Sequence, residues 1–497
     1  MTRRRKTEHF HITKLKRTYN HQTSTFTFNI SYETTPAQRT QRTTEVAEAF
    51  GLGNDQTQRF TLYDNTQIRI RPTDIVLITG DSGSGKSALL KAIKTDLGTQ
   101  AQDTKTLDIN PDQPIIETVG ENTSQALELL SKVGLNDAFL FLRNYSELSD
   151  GQKHRYQIAQ LAQTNAQWWL LDEFTSTLDR GTAKIVAYNL QKLARKQGKA
   201  VIAATTHNDL KADLSPNVHI HKQYGKQITI KYHPKANTKQ CSLTKQTHIE
   251  QGTFTDYKTL SQFHYRTARC PPPRKIFTLK HKTQTIGIIV YSYPPPMCFG
   301  RSKVWKGTIK QLQQEISLIS RVVIHPKYRG IGLGEKLVSE TLAASGTPNV
   351  EAVAVMAKYN PFFEKAGMQK IAQSKPHKTI TNALDDLAIL GFDPTLLSSK
   401  AYIERLTDPV YRKAVTDILA NLSKKNPAAR KQLASLKNLY PTHEEFTNKI
   451  NSLNPAELAT VLKRLSFKAQ TKIYLHYQNP QAKEQEQATA QEQATSG

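Results

Sequence analysis

Gly80-Asp-Ser-Gly-Ser-Gly-Lys-Ser87 follows directly on the apolar run Ile75-Val-Leu-Ile78 and opens into Ala88-Leu-Leu-Lys-Ala-Ile93, which has helical spacing. A strand that turns through closely spaced glycines into a helix aims several backbone N–H groups and the positive helix end at one point, and phosphate suits that point. The fixed positions are those of the G-x-x-x-x-G-K-[ST] loop. Gly80, Asp81, Ser82, Gly83, Ser84 and Gly85 then form the cradle, Lys86 reaches the terminal phosphates and Ser87 is placed to hold Mg²⁺.

Upstream, Val46 to Ile78 passes from helix-like to strand-like spacing, with Phe60 and Tyr63 as candidates either to stack on a nucleotide base or to fill core. Farther back, Phe26-Thr-Phe-Asn-Ile30 alternates as an edge strand would, within an otherwise basic segment. Downstream, Asp108-Ile-Asn-Pro-Asp leads to Gln113, and Leu148-Ser149-Asp150-Gly151-Gln152 runs straight into the helix-periodic Lys153 to Ala162. Ser and Gly at that helix start again present bare N–H groups to an anion. Trp168-Trp-Leu-Leu-Asp172-Glu173 reads as a buried strand ending in two carboxylates. The first would hold Mg²⁺ and the second would polarise an attacking water. Asp179 lies just beyond, and a further buried strand, Ala200 to Thr205, ends at Thr206-His207.

In order and spacing these stretches resemble the nucleotide-binding domain of ABC-type ATPases, over residues 45–230. The resemblance puts Lys86 and Ser87 on the Walker A motif, Gln113 on the Q-loop, and Ser149, Gly151 and Gln152 on the signature. It puts Asp172 and Glu173 on Walker B, Asp179 on the D-loop and His207 on the switch histidine. It implies ATP and Mg²⁺ as cofactors, with Ser87, Gln113 and Asp172 around the metal and Glu173 and His207 as the catalytic residues. It further implies a homodimer that sandwiches two ATP molecules, each P-loop facing the partner's signature. One departure is Asp150, where the family usually has Gly.

The same physics recurs once. Ile319-Ser-Arg-Val-Val-Ile324 feeds His325-Pro-Lys-Tyr-Arg329-Gly-Ile-Gly-Leu-Gly334 and then a helix from Glu335 to Ala343, followed by the buried strand Val350 to Met356 and by Tyr359-Asn-Pro-Phe-Phe-Glu-Lys-Ala-Gly-Met368. Residues 256–378 resemble the GNAT acetyltransferase fold. The resemblance implies that Arg329, Gly330, Gly332 and Gly334 hold the pyrophosphate of acetyl-CoA or another acyl-CoA, with Asn360 beside the thioester. Phe363 stands where many members have a tyrosine acid, which leaves Tyr359, His264 and Tyr265 as substitute proton donors or as structural residues. These stretches are also similar to the Mom-like proteins that alter adenine in phage DNA, and to a group in which an ABC-type ATPase is fused to a predicted acetyltransferase.

Lys and Arg number 68 against 42 Asp and Glu, for a net charge of +26. Such a balance points to a polyanionic partner, nucleic acid before anionic membrane, against the plainer reading of a generally basic surface. No apolar stretch reaches the roughly 18–20 residues that span a bilayer, and Met1-Thr-Arg-Arg-Arg-Lys6 is not followed by an apolar signal core. The expectation is a cytoplasmic protein without membrane insertion. Cys241, Cys270 and Cys298 are far apart and odd in number, which argues against a disulfide scaffold, and no Cys-x-x-Cys pair invites zinc.

The expected architecture is α/β and multidomain. It comprises a basic N-terminal arm over 1–40, a P-loop ABC-type ATPase domain over 41–232 and a linker over 233–255. A GNAT-like α+β acyltransferase domain follows over 256–378, then a small helical C-terminal region over 379–478 and a Gln-, Ala- and Glu-rich disordered tail over 479–497. The expected function is an ATP-hydrolysing ABC-type ATPase fused to an N-acyltransferase that modifies a base of DNA or RNA. The alternatives are an ATP-gated nucleic-acid clamp whose GNAT-like domain is inactive, and the ATPase subunit of a transporter.

Overall fold

Alternation in Phe26-Thr-Phe-Asn-Ile30 puts three apolar side chains on one face, and in the computed structural model of the chain that face is core. The structure describes residues 10–12, 19–34, 38–55, 57–264, 270–358, 360–393, 400–430, 433 and 441–480. Among them β1 (Phe10–Ile12), β2 (Thr25–Thr34) and β3 (Arg59–Arg69) form an antiparallel sheet with β2 in the middle. The expected edge strand in a basic arm is therefore a central strand. Most of the tail expected over 479–497 lies outside the described residues.

The chain divides into two compact units, residues 1–291 with 320–341, and residues 292–319 with 342–497. These divisions differ from those that composition suggested, because strands far apart in sequence pair with one another.

In the first unit, a six-stranded sheet runs in the order β5-β6-β7-β4-β8-β9. Its members are β4 (Ile75–Thr79), β5 (Ala101–Asp103), β6 (Trp168–Leu171), β7 (Ala200–Ala204), β8 (Val218–Lys222) and β9 (Ile228–Tyr232). All pairs are parallel except the β8–β9 hairpin. Parallel strands covered on both faces need apolar residues at every position, which is why β4, β6 and β7 are buried throughout. Alternate residues serve two cores. Leu77, Trp169, Leu171 and Val201 pack with the helices Asp150–Gln163 and Arg180–Gln197. Val76, Trp168, Leu170 and Ile202 pack with the helix Lys86–Leu97 and with Phe26, Phe28 and Ile30 of β2.

The first unit also holds β10 (Thr247–Gln251), antiparallel to β11 (Pro273–His281), with β12 (Gln284–Ser292) next and then β13 (Ile316–Ile324). β10 lies inside the stretch expected to be a linker. Residues 320–324 of β13 belong to this unit, where the amide of His325 donates to Ile286 O at 2.8 Å.

In the second unit, Ile316 to Ile319 of β13 pair in parallel with Asn349 to Ala352 of β14 (Asn349–Ala354). β16 (Lys472–Gln478) lies between β14 and β15 (Gln369–Ser374), antiparallel to both. The helices Lys378–Ile389, Pro409–Lys425, His443–Ser452 and Pro455–Lys468 share a core of Leu387, Leu419, Phe446 and Leu462. This helical region is thus an insertion between two adjacent strands, and the sheet expected to finish by residue 378 is completed only by residues 472–478. Arg301 holds buried Glu351 in a two-point ion pair at 2.6 and 2.9 Å, and the Tyr474 hydroxyl donates to Glu351 Oε2 at 3.0 Å. Removing one member would leave a buried charge unpaired, a loss of about 3–5 kcal/mol.

Among the described residues, no helix is long and apolar enough to cross a membrane.

Candidate nucleotide site

The buried strand β4 delivers the chain to Gly80, and the turn from there to Lys86 is possible only because of its glycines. Gly80, Gly83 and Gly85 all have positive φ, and a Cβ on Gly80 would lie 2.0 Å from Lys222 O. Tyr63 of β3 is core and donates from its hydroxyl to Gly85 O at 3.1 Å, so it supports the loop from beneath and is not free to stack on a base. Phe60 is exposed.

Lys86 is nearly buried, and its ammonium donates to Gly80 O at 2.8 Å and Asp81 O at 2.6 Å. Burial lowers its pKa, while Asp81 and Asp172 oppose the shift. Ser87 Oγ donates to Asp172 Oδ1 at 2.9 Å, which joins the first turn of the helix to the end of β6. Glu173 and Thr175 both adopt left-handed backbone, φ 51 and 61, between which the Phe174 amide donates to Ala204 O at 2.7 Å. Non-glycine residues accept that conformation at a cost of about 1–3 kcal/mol each, and they do so where the surroundings impose it. His207 is half-buried beyond β7, its amide donating to Thr205 Oγ1 at 3.2 Å. Gln113 is exposed, next to the Pro114–Asn144 bridge.

The loop fits a triphosphate and its metal. Among the described residues Ser84 Oγ is buried without a hydrogen-bond partner and a Cβ at Gly83 would meet nothing within 4 Å, so the cradle keeps a donor in reserve and space in front of it. Ser87 and Asp172 are the residues that would hold Mg²⁺, which when bound screens and orients the transferring phosphoryl group. Lys86 can exchange its carbonyl partners for phosphate oxygens, and Glu173 is at the strand end where an attacking water would be held.

Lys105 belongs to this site although no motif marks it. Its ammonium lies 2.9 Å from Asp172 Oδ2. Burial lowers its pKa, but the bond to Asp172 and the charges of Asp172, Glu173 and Asp103 outweigh this and raise it. On the neighbouring strand, Thr79 Oγ1 hydrogen-bonds with His219 Nε2 and His221 Nδ1, each at 3.0 Å. Desolvation, with Lys211 and His221 nearby, takes the His219 pKa down to about 4.

The signature residues begin the helix Asp150–Gln163, where the Ser149 amide donates to Gln152 Oε1 at 2.9 Å. A Cβ on Gly151 would come within 3.2 Å of Thr182 Cγ2, so this start packs closely on the next helix. Asp179 caps that helix, accepting from the amides of Gly181 at 3.1 Å and Thr182 at 3.2 Å and from Thr182 Oγ1 at 2.6 Å. Partial burial works against ionisation of Asp179, yet the Lys327 ammonium and the Thr182 hydroxyl and amide hold its carboxyl down at about 2.

The second glycine turn is differently employed. Arg329 is largely buried and donates to Ile324 O at 2.9 Å, Asn136 O and Asp137 Oδ2 at 3.2 Å, and Phe263 O at 3.2 Å. A Cβ on Gly330 would lie 2.8 Å from Gly134 Cα. Gly332 faces open space, and Gly334 is in the first turn of the helix Leu333–Thr341. In the second unit, Asn360 precedes the short helix Phe362–Lys365, and Phe363 is buried against Phe362. His264 is half-buried, and Tyr265 and Tyr359 lie outside the described residues.

The sequence matches the P-loop containing region of AAA domain family over residues 58–105 and the ABC transporter family over residues 95–176. It is 30% identical over 193 residues to the lipoprotein-releasing system ATP-binding protein LolD of Novosphingobium aromaticivorans, covering 31% of this chain and 85% of that protein. It is 30% identical over 179 residues to the probable iron export ATP-binding protein FetA of Escherichia coli, covering 30% of this chain and 79% of that protein. Among solved structures, a dimeric, post-hydrolysis ATP-binding cassette bound to ADP and Pi is similar at 20% identity over 35% of this chain and 92% of that one, with a TM-score of 0.29. Through the domain that carries its phosphate loop, the chain belongs to the family of ABC-type ATPases.

Proposed function

We propose that this ABC-type ATPase hydrolyses ATP between paired chains and couples the cycle to a GNAT-like N-acyltransferase segment that acts on nucleic acid. One observation supports the hydrolytic part: Ser87 donates to Asp172 at 2.9 Å, with Lys86 beside Ser87 at the start of the helix that follows β4 and Glu173 beside Asp172 just after β6, an arrangement that suits phosphoryl transfer. The acyltransferase part is supported by the second strand, glycine turn and helix. It is also supported by the ladder between β13 and β14, which ends at Ile319 and Ala352 although β13 continues to Ile324. The net charge of +26 favours a polyanionic substrate, since Lys and Arg contacts to phosphate supply most non-specific affinity. Chemistry on a base needs that base unpaired or flipped, a step that nucleotide-driven closure can supply.

A second reading is favoured by the commitment of Arg329 to Asp137 and three carbonyls, since an acyl-CoA pyrophosphate would have to displace them. In that reading the protein is an ATP-gated nucleic-acid clamp with an inactive GNAT-like segment. The relatives named above are the ATP-binding proteins of a release system and of iron export, and a transport role here would require a separate permease chain.

Mass spectrometry of nucleosides from DNA and RNA of cells expressing the protein, with Lys86→Ala as control, separates these. A new mass present only with the intact protein identifies base modification and names the transferred group. No new mass, together with ATP-dependent and salt-sensitive nucleic-acid affinity, identifies the clamp. Co-purification with a membrane protein and no such affinity identifies a transporter subunit.

A further inference from the structure

A cleft of about 310 Å³ opens beside the signature helix. Its walls carry the carboxylates of Asp137, Asp150 and Asp179 and the cations of Arg155, Lys327 and Arg329. The acids and bases balance, although the signature contains an aspartate where its relatives usually have no side chain at all. The balancing lysine comes from the turn after β13, outside the stretch that matches the ABC family.

Lys327 is held there from two directions. Its ammonium lies 2.5 Å from Asp179 Oδ1, and its carbonyl accepts from Arg155 Nη2 at 3.0 Å. Arg155 is 5% exposed, also donates to Gly134 O at 3.4 Å, and has a buried Nε with no hydrogen-bond partner among the described residues. Beside it the 14-residue helix Asp150–Gln163 presents its N-terminus. A helix start backed by a buried guanidinium favours an anion, and a wall of unbalanced carboxylates would select against one.

We propose that Lys327 is a positioning residue for ATP hydrolysis: it offsets the charge of Asp150 so that the signature-side cleft accepts the terminal phosphates of a nucleotide carried by a second copy of the chain. This rests on the paired arrangement proposed above. The turn that the sequence marks as a second anion cradle thereby serves the first one. Lys327 acts through the field and through Asp179, and the triphosphate remains bound chiefly by Gly80 to Ser87 of the copy that carries it.

The test is steady-state hydrolysis by the full-length protein across a series of protein concentrations, for the wild type, Lys327→Ala, Lys327→Arg, Asp150→Gly and the Lys327→Ala/Asp150→Gly double variant. Lys327→Ala should lower kcat/KM about tenfold, mainly through KM, because one uncompensated charge then faces a polyanion. Lys327→Arg should remain within about twofold of wild type, and the double variant within about threefold of Asp150→Gly alone, since both restore the balance. Binding of a fluorescent ADP analogue to Gly80–Ser87, none of which lines the cleft, checks that each variant is folded. Wild-type kinetics in Lys327→Ala, or no recovery on adding Asp150→Gly, overturns the role of Lys327. A wild-type rate per chain that does not rise with protein concentration overturns the paired arrangement instead.

Discussion

Two turns in this chain have the same construction, a strand that runs through clustered glycines into a helix, and they are used in opposite ways. At Gly80 to Ser87 the glycines open a cradle: among the described residues Gly83 has space in front of it, and Ser84 Oγ has no hydrogen-bond partner. At Arg329 to Gly334 the corresponding arginine is spent on Asp137 and on the carbonyls of Ile324, Asn136 and Phe263, and the first glycine is pressed against Gly134. Glycine therefore does two jobs that sequence writes identically. In one it lets a ligand approach the backbone, and in the other it lets one part of the protein approach another.

The largest effect should come from the open turn. Lys86→Ala should reduce ATP hydrolysis about 10³-fold or more, because the main charge on the terminal phosphates is removed, and phosphate release assays will show it. A residual rate within tenfold of wild type would mean that the two turns are less different than they look. At the filled turn the expected loss is in stability. Gly330→Ala must place a methyl group 2.8 Å from Gly134 Cα with φ at +89, and should lower unfolding free energy by about 2–4 kcal/mol in urea titration. Gly332→Ala, with φ at +84 but nothing within 4 Å, should cost only the conformational strain of about 1 kcal/mol. Equal losses at the two positions would remove the packing argument and leave strain alone.

The smallest effect is one of pH. His219 has its folded pKa depressed to about 4, below its ordinary value near 6.5. Above pH 6.5 it is neutral whether folded or not, and its contribution is complete. As pH falls from 6.5 towards 4 the unfolded chain takes up a proton that the folded chain refuses, and stability is lost across that window. The urea midpoint should therefore fall between pH 7 and pH 5 in the wild type and fall less in His219→Gln. Parallel curves would show that another group governs the window.

What could be read in the sequence was what is local. Lys86, Ser87, Ser149, Asp172 and Asp179 each sit within a short strand, turn and helix whose residue types declare the element, so the family could be recognised before any contact was known. The use of Arg329 could not be read that way, because its acidic partner is 192 positions away and no spacing rule joins them. Lys105 and Lys327 escaped for the same reason, each being an unmarked lysine brought to an aspartate by the fold. The strand Lys472–Gln478 did carry a signal, the β-favouring Ile473-Tyr-Leu-His-Tyr477, but it follows a long helical stretch and was absorbed into it. β10 is short and carries a single apolar side chain, Ile249, which gives little alternation to detect.

The position of that late strand bears on how the protein is made. β14 and β15 are separated in the sheet by a neighbour that the ribosome delivers only after the whole helical insertion between Lys378 and Lys468. Until residues 472–478 emerge, two strands present unpaired backbone edges and Glu351 lacks the hydroxyl of Tyr474. A nascent chain stalled within the helical insertion would be a sticky one, and closure of the sheet waits on residues 472–478, slow by virtue of the long loop it must close.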